Sequence, residues 1–543
     1  MHNENTCWRG PMYKYQFVVK NYRCFSDSNP ARFVISRGMT GLLGVNNSGK
    51  SALLKMFQEL RNVFQAAANY NSVGADEAFA AQFVHVLDQS EVFFDGNARP
   101  LSIEIEILEI EDVLPGNRRP IKKVLLACAQ GQNRNPYAWS LAYYVGDSPL
   151  QRTSQNLVTS GDDRATVQLP NTNFFYSMSA IKEMLAVFSS SLYIGPFRNA
   201  ITVGAGNHFD LAVGETFINA WNDWQNGSDK SHNRSINAVT ENIRKVMGFE
   251  RLSITASVAN KTLQVNIDNR PFKLNEVGSG LAQLVVVFGN ALIRKPTIVF
   301  IDEPELNLHP RLQLEFLTNL ASYASHGVVF ATHSIGLARS AAERLYTVSR
   351  AGDSSKIELY DRTVSLVELL GELSFSAYRE VGAEKLLLVE GTTDVKVMQQ
   401  LLRKAGKEHT VVVLPLGGNS LARDGVEHEL AELKRVASDI SAIVDSERDA
   451  EGAPAASARS GFETTCLGLG YRVLLTERRA TENYFDDVAV KAALGPSFGA
   501  IGPYERLKTK SNAWAKADNW RIAQELDWEA LRGTDLGKFI DEL

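Results

Sequence analysis

Apolar and polar positions along the chain follow two periods. Tyr15–Val19 and Ala31–Ser36 alternate and predict strands, and Met39–Leu43 is a short apolar run leading into a glycine-rich loop. Ser51–Phe64 carries apolar residues at helical spacing, so strand, loop and helix follow one another directly. Glu91–Leu108 and Lys122–Ala129 read as strands with charged breaks, and residues 146–173 as a polar, turn-rich surface excursion. Phe217–Met247 is polar with helical spacing and reads as an inserted helical or dimerisation module. Leu252–Ile267 predicts two strands, Gly278–Ile293 a helix, Thr297–Ile301 a buried strand, Arg311–Ala324 an amphipathic helix and Val328–Ala331 another buried strand. Residues 345–360 read as two short strands and Leu366–Ala377 as a helical connection.

A second α/β pattern then begins. Leu386–Val389, Val411–Leu414, Ile440–Val444 and Tyr471–Leu475 predict strands, with helices over Asp394–Ala405 and Val426–Ala437 and a small-residue loop over residues 450–460. Strands alternating with helices predict a parallel sheet.

A length of 543 residues implies more than one domain. With 44% hydrophobic and 22% charged residues, the chain has the composition of a folded globular protein and not of a disordered one. A net charge of −5 excludes a general polycation, so nucleic-acid binding would need a local basic patch or bound metal. Cys7, Cys24, Cys128 and Cys466 are scattered, which suggests neither a zinc site nor a disulfide framework and fits a reducing compartment. The longest apolar stretch, Leu281–Ile293, is interrupted by Gln283, Gly289 and Asn290 and is too short to span a bilayer. The first residues lack the apolar core of a signal peptide. The expectation is a cytoplasmic protein with no membrane partner.

The loop after Met39–Leu43 contains Gly44, Asn46, Asn47, Ser48, Gly49, Lys50 and Ser51 in a phosphate-loop pattern. Its backbone amides would cradle phosphates, Lys50 would reach the terminal phosphates and Ser51 would ligate Mg2+. Thr297–Ile301 delivers two carboxylates to its end: Asp302 for the magnesium shell and Glu303 to polarise water. Ser279 and Gly280 open a helix whose amides would bind a γ-phosphate. Residues 305–310 and His333 follow in order. P-loop, signature, paired acids and histidine in this sequence resemble the ABC-type ATPases. That resemblance implies ATP as ligand, Glu303 and His333 as catalytic groups, and Ser279 completing the site of a partner chain, hence a homodimer or higher homo-oligomer. Gln58, Gln65 and Gln82 all remain candidates for the glutamine that this family places near the metal.

In the second pattern, Glu390 and Asp394 follow one buried strand, and Asp445 and Glu447 follow another. Clustered carboxylates at the carboxyl edge of a parallel sheet suit Mg2+, with Mn2+ or Ca2+ as alternatives, and phosphodiester attack. Acid-capped helix starts are the plainer reading, Asp394 above all. Glu390, Leu416–Asn419 and the pair Asp445 and Glu447 resemble the Toprim domain, with Glu447 where an aspartate is usual; Asp449 stands nearby as a substitute. An ABC-type ATPase followed by a Toprim domain resembles the OLD (overcoming lysogenization defect) family, which includes the Gabija nuclease subunit. Tyr193–Arg198 and Glu477–Tyr484 are similar to family segments, the latter implying Glu482 as a further metal ligand. A catalytic lysine is also implied, with Lys508, Lys510 and Lys516 as candidates and Lys516 preferred. The basic and aromatic residues Tyr504, Arg506, Lys508, Lys510, Trp514, Lys516, Trp520 and Arg521 suit either nucleic-acid contact or a helix packing its tryptophans inward.

The expected fold is therefore α/β: an ABC-type P-loop ATPase domain over residues 1–375, with a dimerisation insertion at about 200–248, followed by a Rossmann-like Toprim domain over 376–543. The resemblance implies an ATP-regulated, metal-dependent DNA endonuclease of anti-phage or foreign-DNA defence, with DNA and a helicase-like or other defence protein as partners. The alternatives are an ATP-dependent sensor or scaffold with a non-cleaving Toprim domain, and a repair ATPase, against which the chain shows no sustained heptads.

Overall fold

The computed structural model describes residues 14–70, 78–110, 118–131, 136–150, 157–160, 163–168, 175–196, 205–360, 385–408, 410–416, 426–433, 439–510 and 512–543. Leu366–Ala377, Gly417, Gly418, Asn419, Phe197, Arg198 and Cys7 lie outside these residues. Two compact units form, one within Gly10–His333 and Arg344–Tyr360, the other within Ser334–Glu343 and Asp361–Leu543.

The first unit contains a six-stranded sheet in the order Leu192–Ile194, Ile298–Asp302, Gly327–Thr332, Gly38–Leu43, Arg344–Ala351, Ser354–Leu359. All neighbours are parallel except the last pair. Every residue of Ile298–Asp302 and Gly327–Thr332 is buried, as expected of strands covered on both faces. Gly327 holds φ 128, and a Cβ there would meet the Gly38 carbonyl oxygen at 2.1 Å, so the two strands can start side by side only with glycine at this position.

A second, antiparallel sheet runs in the order Ala31–Ile35, Lys14–Lys20, Leu101–Leu108, Lys123–Cys128, Tyr137–Val145, Ala78–Ala81. Leu101–Leu108 alternates strictly between buried and half-buried positions, which turns one face to the core. The helix Lys50–Glu59 joins the two sheets. Its Phe57 ring stacks on Phe300 of the parallel sheet at 4.0 Å and meets Phe17 of the antiparallel sheet edge-on at 5.3 Å. The residues that follow the phosphate loop are thus fixed from both sides.

The helix predicted over Ser51–Phe64 is two, Lys50–Glu59 and Arg61–Asn69, broken at Leu60. No residue type demands that break; the residues on either side of it are held by ion pairs, Glu59 with Arg23 and Arg61 with Asp210. Of Glu91–Leu108, only Leu101–Leu108 is a strand, while Gln89–Val92 is a short 3-10 turn started by Asp88, whose carboxylate accepts from Ser90 N at 2.9 Å. Within residues 146–173, Leu157–Ser160 and Asp163–Gln168 form an antiparallel hairpin.

The polar segment Phe217–Met247 lies in two helices, Gly214–Asn226 and Lys230–Met247, the second started by Asp229 and ended by Gly248 at φ 72. Its buried Phe217 and Trp221 lie against Gly289 of the helix Ser279–Arg294; a Cβ at Gly289 would stand 2.7 Å from Phe217.

In the second unit, four parallel strands are ordered Val411–Pro415, Lys385–Val389, Asp439–Val444, Arg472–Leu475. Leu386, Leu388, Ile440, Ala442 and Val444 pack with the helices Val426–Leu433 and Ser457–Gly468. The helix Ser457–Gly468 begins inside the stretch expected to be loop. Because the chain leaves Lys385–Val389 toward one edge and returns to its other side, a switch point lies between Lys385–Val389 and Asp439–Val444, where open α/β sheets form ligand crevices. Among the described residues no helix is long and apolar enough to cross a membrane.

Candidate active sites

In the first unit, the loop after Gly38–Leu43 turns on Asn47 at φ 61 and Gly49 at φ 109, left-handed positions that aim successive amides inward. A Cβ on Gly44 would meet Val348 O at 2.2 Å, and one on Gly49 would meet Cys24 Sγ at 2.8 Å, so both glycines are required by close approach. Lys50 is buried and donates to Gly44 O at 2.6 Å and Val45 O at 2.9 Å. Burial lowers its pKa, opposed by the charges of Asp302, Glu303 and Glu305. Ser48 Oγ is buried without a partner; Asn46 and Ser51 are exposed.

Asp302 ends the strand Ile298–Asp302 and is 2% exposed, yet neither carboxylate oxygen has a hydrogen-bond partner. Burial pushes it up to about 6, against the pull of the Ser51 hydroxyl, which faces it outside hydrogen-bond geometry. A buried carboxylate with two orphaned oxygens opposite a serine hydroxyl fits a hard divalent cation. Glu303 holds φ 50, a strained position for a non-glycine residue, and its N–H donates to Ala331 O at 2.9 Å. His333 is half-exposed, and its Nδ1 lies 3.3 Å from Glu305 Oε1. That same oxygen accepts from Thr332 Oγ1 at 2.5 Å and His333 N at 3.2 Å. Glu305 therefore sets the position of His333, a role that sequence reasoning missed; its place two residues after Glu303 was the available signal. Ser279 is exposed at the start of its helix, and Gly280 packs against the Asn307 carbonyl. Among the glutamine candidates, Gln58 is buried and donates to Asp210 at 3.2 Å, while Gln65 and Gln82 are exposed.

The acids of the second unit gather at its switch point. Glu390 follows Lys385–Val389, and its Oε1 accepts from Asp445 N at 3.0 Å across the adjacent strand end. Asp445 is buried, and its Oδ1 accepts from Thr481 N at 2.9 Å and Thr481 Oγ1 at 3.0 Å. Asp394 caps its own helix, accepting from Gly391 N at 2.9 Å. Glu482 is buried; its Oε1 pairs with Lys516 at 3.0 Å and its Oε2 has no partner. Glu447 is the exposed member, 3.2 Å from Arg459. Asp449 is committed to Arg479 and Arg506.

Burial, then the Asp445 charge, pushes Glu390 up to about 8 and Asp394 to about 7; burial raises Asp445 as well. Burial alone would lower Lys516, but Glu482 and Asp445 hold its ammonium above its ordinary value. Among the described residues no three His, Cys, Asp or Glu side chains converge closely enough to hold a metal ion. Arg459 pairs with Glu390 and Glu447, and Lys516 with Glu482. The orphaned Glu482 oxygen and the all-oxygen donor set nevertheless fit a hard cation.

Of the three candidate lysines, Lys516 reaches the acids, Lys510 donates to the Ala500 carbonyl and Lys508 is exposed. Trp514 and Trp520 are buried, with Trp514 Nε1 donating to Asn519 Oδ1 at 2.8 Å, so the tail packs its tryptophans inward. Arg459 and Thr481 lay outside every sequence motif except, for Thr481, the segment carrying Glu482.

Residues 217–339 match the family described as "AAA domain, putative AbiEii toxin, Type IV TA system". The Old nuclease of Escherichia phage P2 is 35% identical over 120 residues, 20% of this chain and 20% of that protein. The glutamate transport ATP-binding protein GluA of Corynebacterium efficiens is 39% identical over 95 residues, 17% of this chain and 39% of that protein. The chain thus spans about a fifth to two-fifths of the length of these relatives. Among solved structures, the SMC head domain from Thermotoga maritima aligns over 65% of this chain and 100% of its own at 14% identity and a TM-score of 0.35. An Smc head from Pyrococcus furiosus aligns with a TM-score of 0.36 at 9% identity, covering 65% of this chain and 97% of its own. The family match and the curated relatives support an AAA/ABC-like ATPase domain and ATP binding.

Proposed function

We propose that the chain is an ATP-regulated, divalent-metal-dependent DNA endonuclease of the OLD family, whose second unit is a Toprim domain. The observation that carries this reading is the pairing of Glu390 with Asp445 across the switch point, with Lys516 and Glu482 beside them. Partial identity to the Old nuclease supports it.

In this reading Glu390, Asp394, Asp445, Glu447 and Glu482 hold Mg2+ or Mn2+. When bound, the ion supplies electrophilic activation of the phosphodiester. Lys516 neutralises the charge that develops on the phosphoryl oxygens. In the first unit Lys50 and the loop amides hold the ATP phosphates, Asp302 and Ser51 hold the cation, Glu303 orients water, and His333 senses the terminal phosphate. Ser279 and Gly280 serve the site of a second copy, so hydrolysis requires a homodimer. Ser334–Glu343, which follows His333 directly in the chain, groups with the second unit. Defence against phage or foreign DNA, alone or with a helicase-like partner as in Gabija, is the biological role this reading carries.

The test is cleavage of supercoiled plasmid in Mg2+ or Mn2+, with and without ATP, beside Lys50→Ala. Metal-dependent cleavage that changes with ATP in the wild type and loses that response in Lys50→Ala is expected. A second reading, a non-cleaving scaffold, is favoured by the dispersal of the acids onto Arg459 and Lys516. Intact ATP hydrolysis with no cleavage of supercoiled, linear or single-stranded DNA would establish it.

A further inference from the structure

Arg459 occupies the first turn of the helix Ser457–Gly468. A cation is disfavoured there, because the helix N-terminus already carries partial positive charge. Its compensation is specific: Nη2 lies 2.9 Å from Glu390 Oε2 and 3.2 Å from Glu447 Oε1, with the side chain 15% exposed. One nitrogen therefore bridges two carboxylates that come from different strand ends.

The position of Glu447 is built as well. Its φ is 54, its N–H donates to Arg479 O at 2.8 Å, and the loop beyond it is closed by Ala456 N donating to Ser446 O at 3.1 Å. That closure ties the first turn of the Arg459 helix to the strand end bearing Asp445. A non-glycine residue in the left-handed region, pinned on both flanks, marks a carboxylate whose place matters.

Oxygen ligands approach Mg2+ at about 2.1 Å and Ca2+ at about 2.4 Å. Those distances are shorter than the two Arg459 contacts by only about 0.5–1.1 Å, so the acids that hold the guanidinium would also suit a small cation. Guanidinium also pairs with phosphate in the planar, two-pronged way it pairs with carboxylate. An arginine released from these acids, beside a site for a phosphodiester, has its next partner at hand.

We propose that Arg459 is a displaceable counter-ion: it bridges Glu390 and Glu447 while no divalent cation is bound, and turns to the phosphodiester when the cation takes those acids. This rests on the metal-dependent reading of the carboxylate edge. The arginine then sets the concentration at which metal enters and contributes to DNA binding only once metal is present.

The experiment uses the full chain without nucleotide: Mn2+ titration by electron paramagnetic resonance, with melting temperatures with and without Mn2+, for wild type, Arg459→Met, Arg459→Lys and Glu390→Gln. Arg459→Met is expected to lower the metal-free melting temperature and to tighten Mn2+ binding about tenfold or more, as removal of a competing cation bridge worth about 1.4 kcal/mol requires. Arg459→Lys, which keeps the charge, is expected to fold and to fall between the two. Duplex DNA binding in Ca2+ is expected to weaken in Arg459→Met, with no change in the absence of metal. Mn2+ affinity that is unchanged or weaker in both arginine variants, while Glu390→Gln abolishes binding, overturns the counter-ion role and leaves the metal reading standing. Mn2+ binding indifferent to Glu390→Gln overturns both.

Discussion

Lys516 Nζ stands 3.0 Å from Glu482 Oε1, while the other oxygen of that carboxylate is buried and accepts no hydrogen bond. One half of the carboxylate is neutralised by the chain itself and the other half is left buried without a partner, an arrangement that costs stability unless something arrives to use it. Lys516→Met is expected to lower metal-dependent cleavage by about two to three orders of magnitude, the scale of losing one preorganised charge-stabilising donor. ATP hydrolysis by the same preparation is expected to stay within about twofold of wild type, which separates this loss from misfolding.

Glu305 offers a second test. Its Oε1 is shared by Thr332 Oγ1, His333 N and His333 Nδ1. Glu305→Gln replaces a charged acceptor with a neutral one, and a charge-assisted hydrogen bond contributes about 1.5–3 kcal/mol. The expected outcome is a fall of about 10- to 100-fold in kcat for ATP hydrolysis with KM little changed, read by steady-state kinetics.

Gly44→Ala tests the phosphate loop by geometry alone. The added methyl meets the Val348 carbonyl oxygen at 2.2 Å, and backbone cannot yield as a flexible side chain would. We expect a loss of about 1–3 kcal/mol in denaturant unfolding and a weakening of ATP binding of at least tenfold.

The buried ion pair between Lys396 and Glu343 gives an asymmetric prediction. Lys396 is 1% exposed and its partner 19%. Glu343→Ala leaves the ammonium buried without this carboxylate and is expected to cost about 3–5 kcal/mol, whereas Lys396→Met, which fills the same space without charge, is expected to cost far less. Urea unfolding of the two variants decides between them.

His326 makes stability depend on pH. Burial, with a further contribution from Arg37, pushes its pKa down to about 4. The folded protein therefore binds fewer protons than the unfolded chain below the ordinary histidine value of about 6.5, so stability falls as pH drops from about 6.5 toward 4. The loss is on the order of 2–3 kcal/mol. Raised carboxylates act with the opposite sign, so the quantity to measure is the difference between wild type and His326→Phe across that range, whose pH dependence is expected to vanish above pH 7.

The parallel strands were legible because burial on both faces forces apolar runs: Ile298–Asp302, Gly327–Thr332 and Lys385–Val389 lie within one residue of their predicted positions at each end. The phosphate loop was legible because its glycines answer close approaches that no other residue tolerates. Tertiary relationships were not. Arg61, just after the break at Leu60, meets Asp210 from far along the chain. Arg459 meets Glu390 across 69 positions of sequence and carries no motif of its own. The tail shows a further limit: basic residues interleaved with tryptophans fit two physical roles, and only the burial of Trp514 and Trp520 chooses packing.

If the switch-point acids carry phosphodiester cleavage separately from ATP hydrolysis, the two activities part in one variant. Plasmid cleavage in Mn2+ and ATP hydrolysis, assayed in parallel on wild type and Glu390→Gln, are expected to show cleavage reduced at least a hundredfold in Glu390→Gln with ATP hydrolysis unchanged. Equal cleavage by the two proteins, or none by the wild type, would contradict that role of the acids.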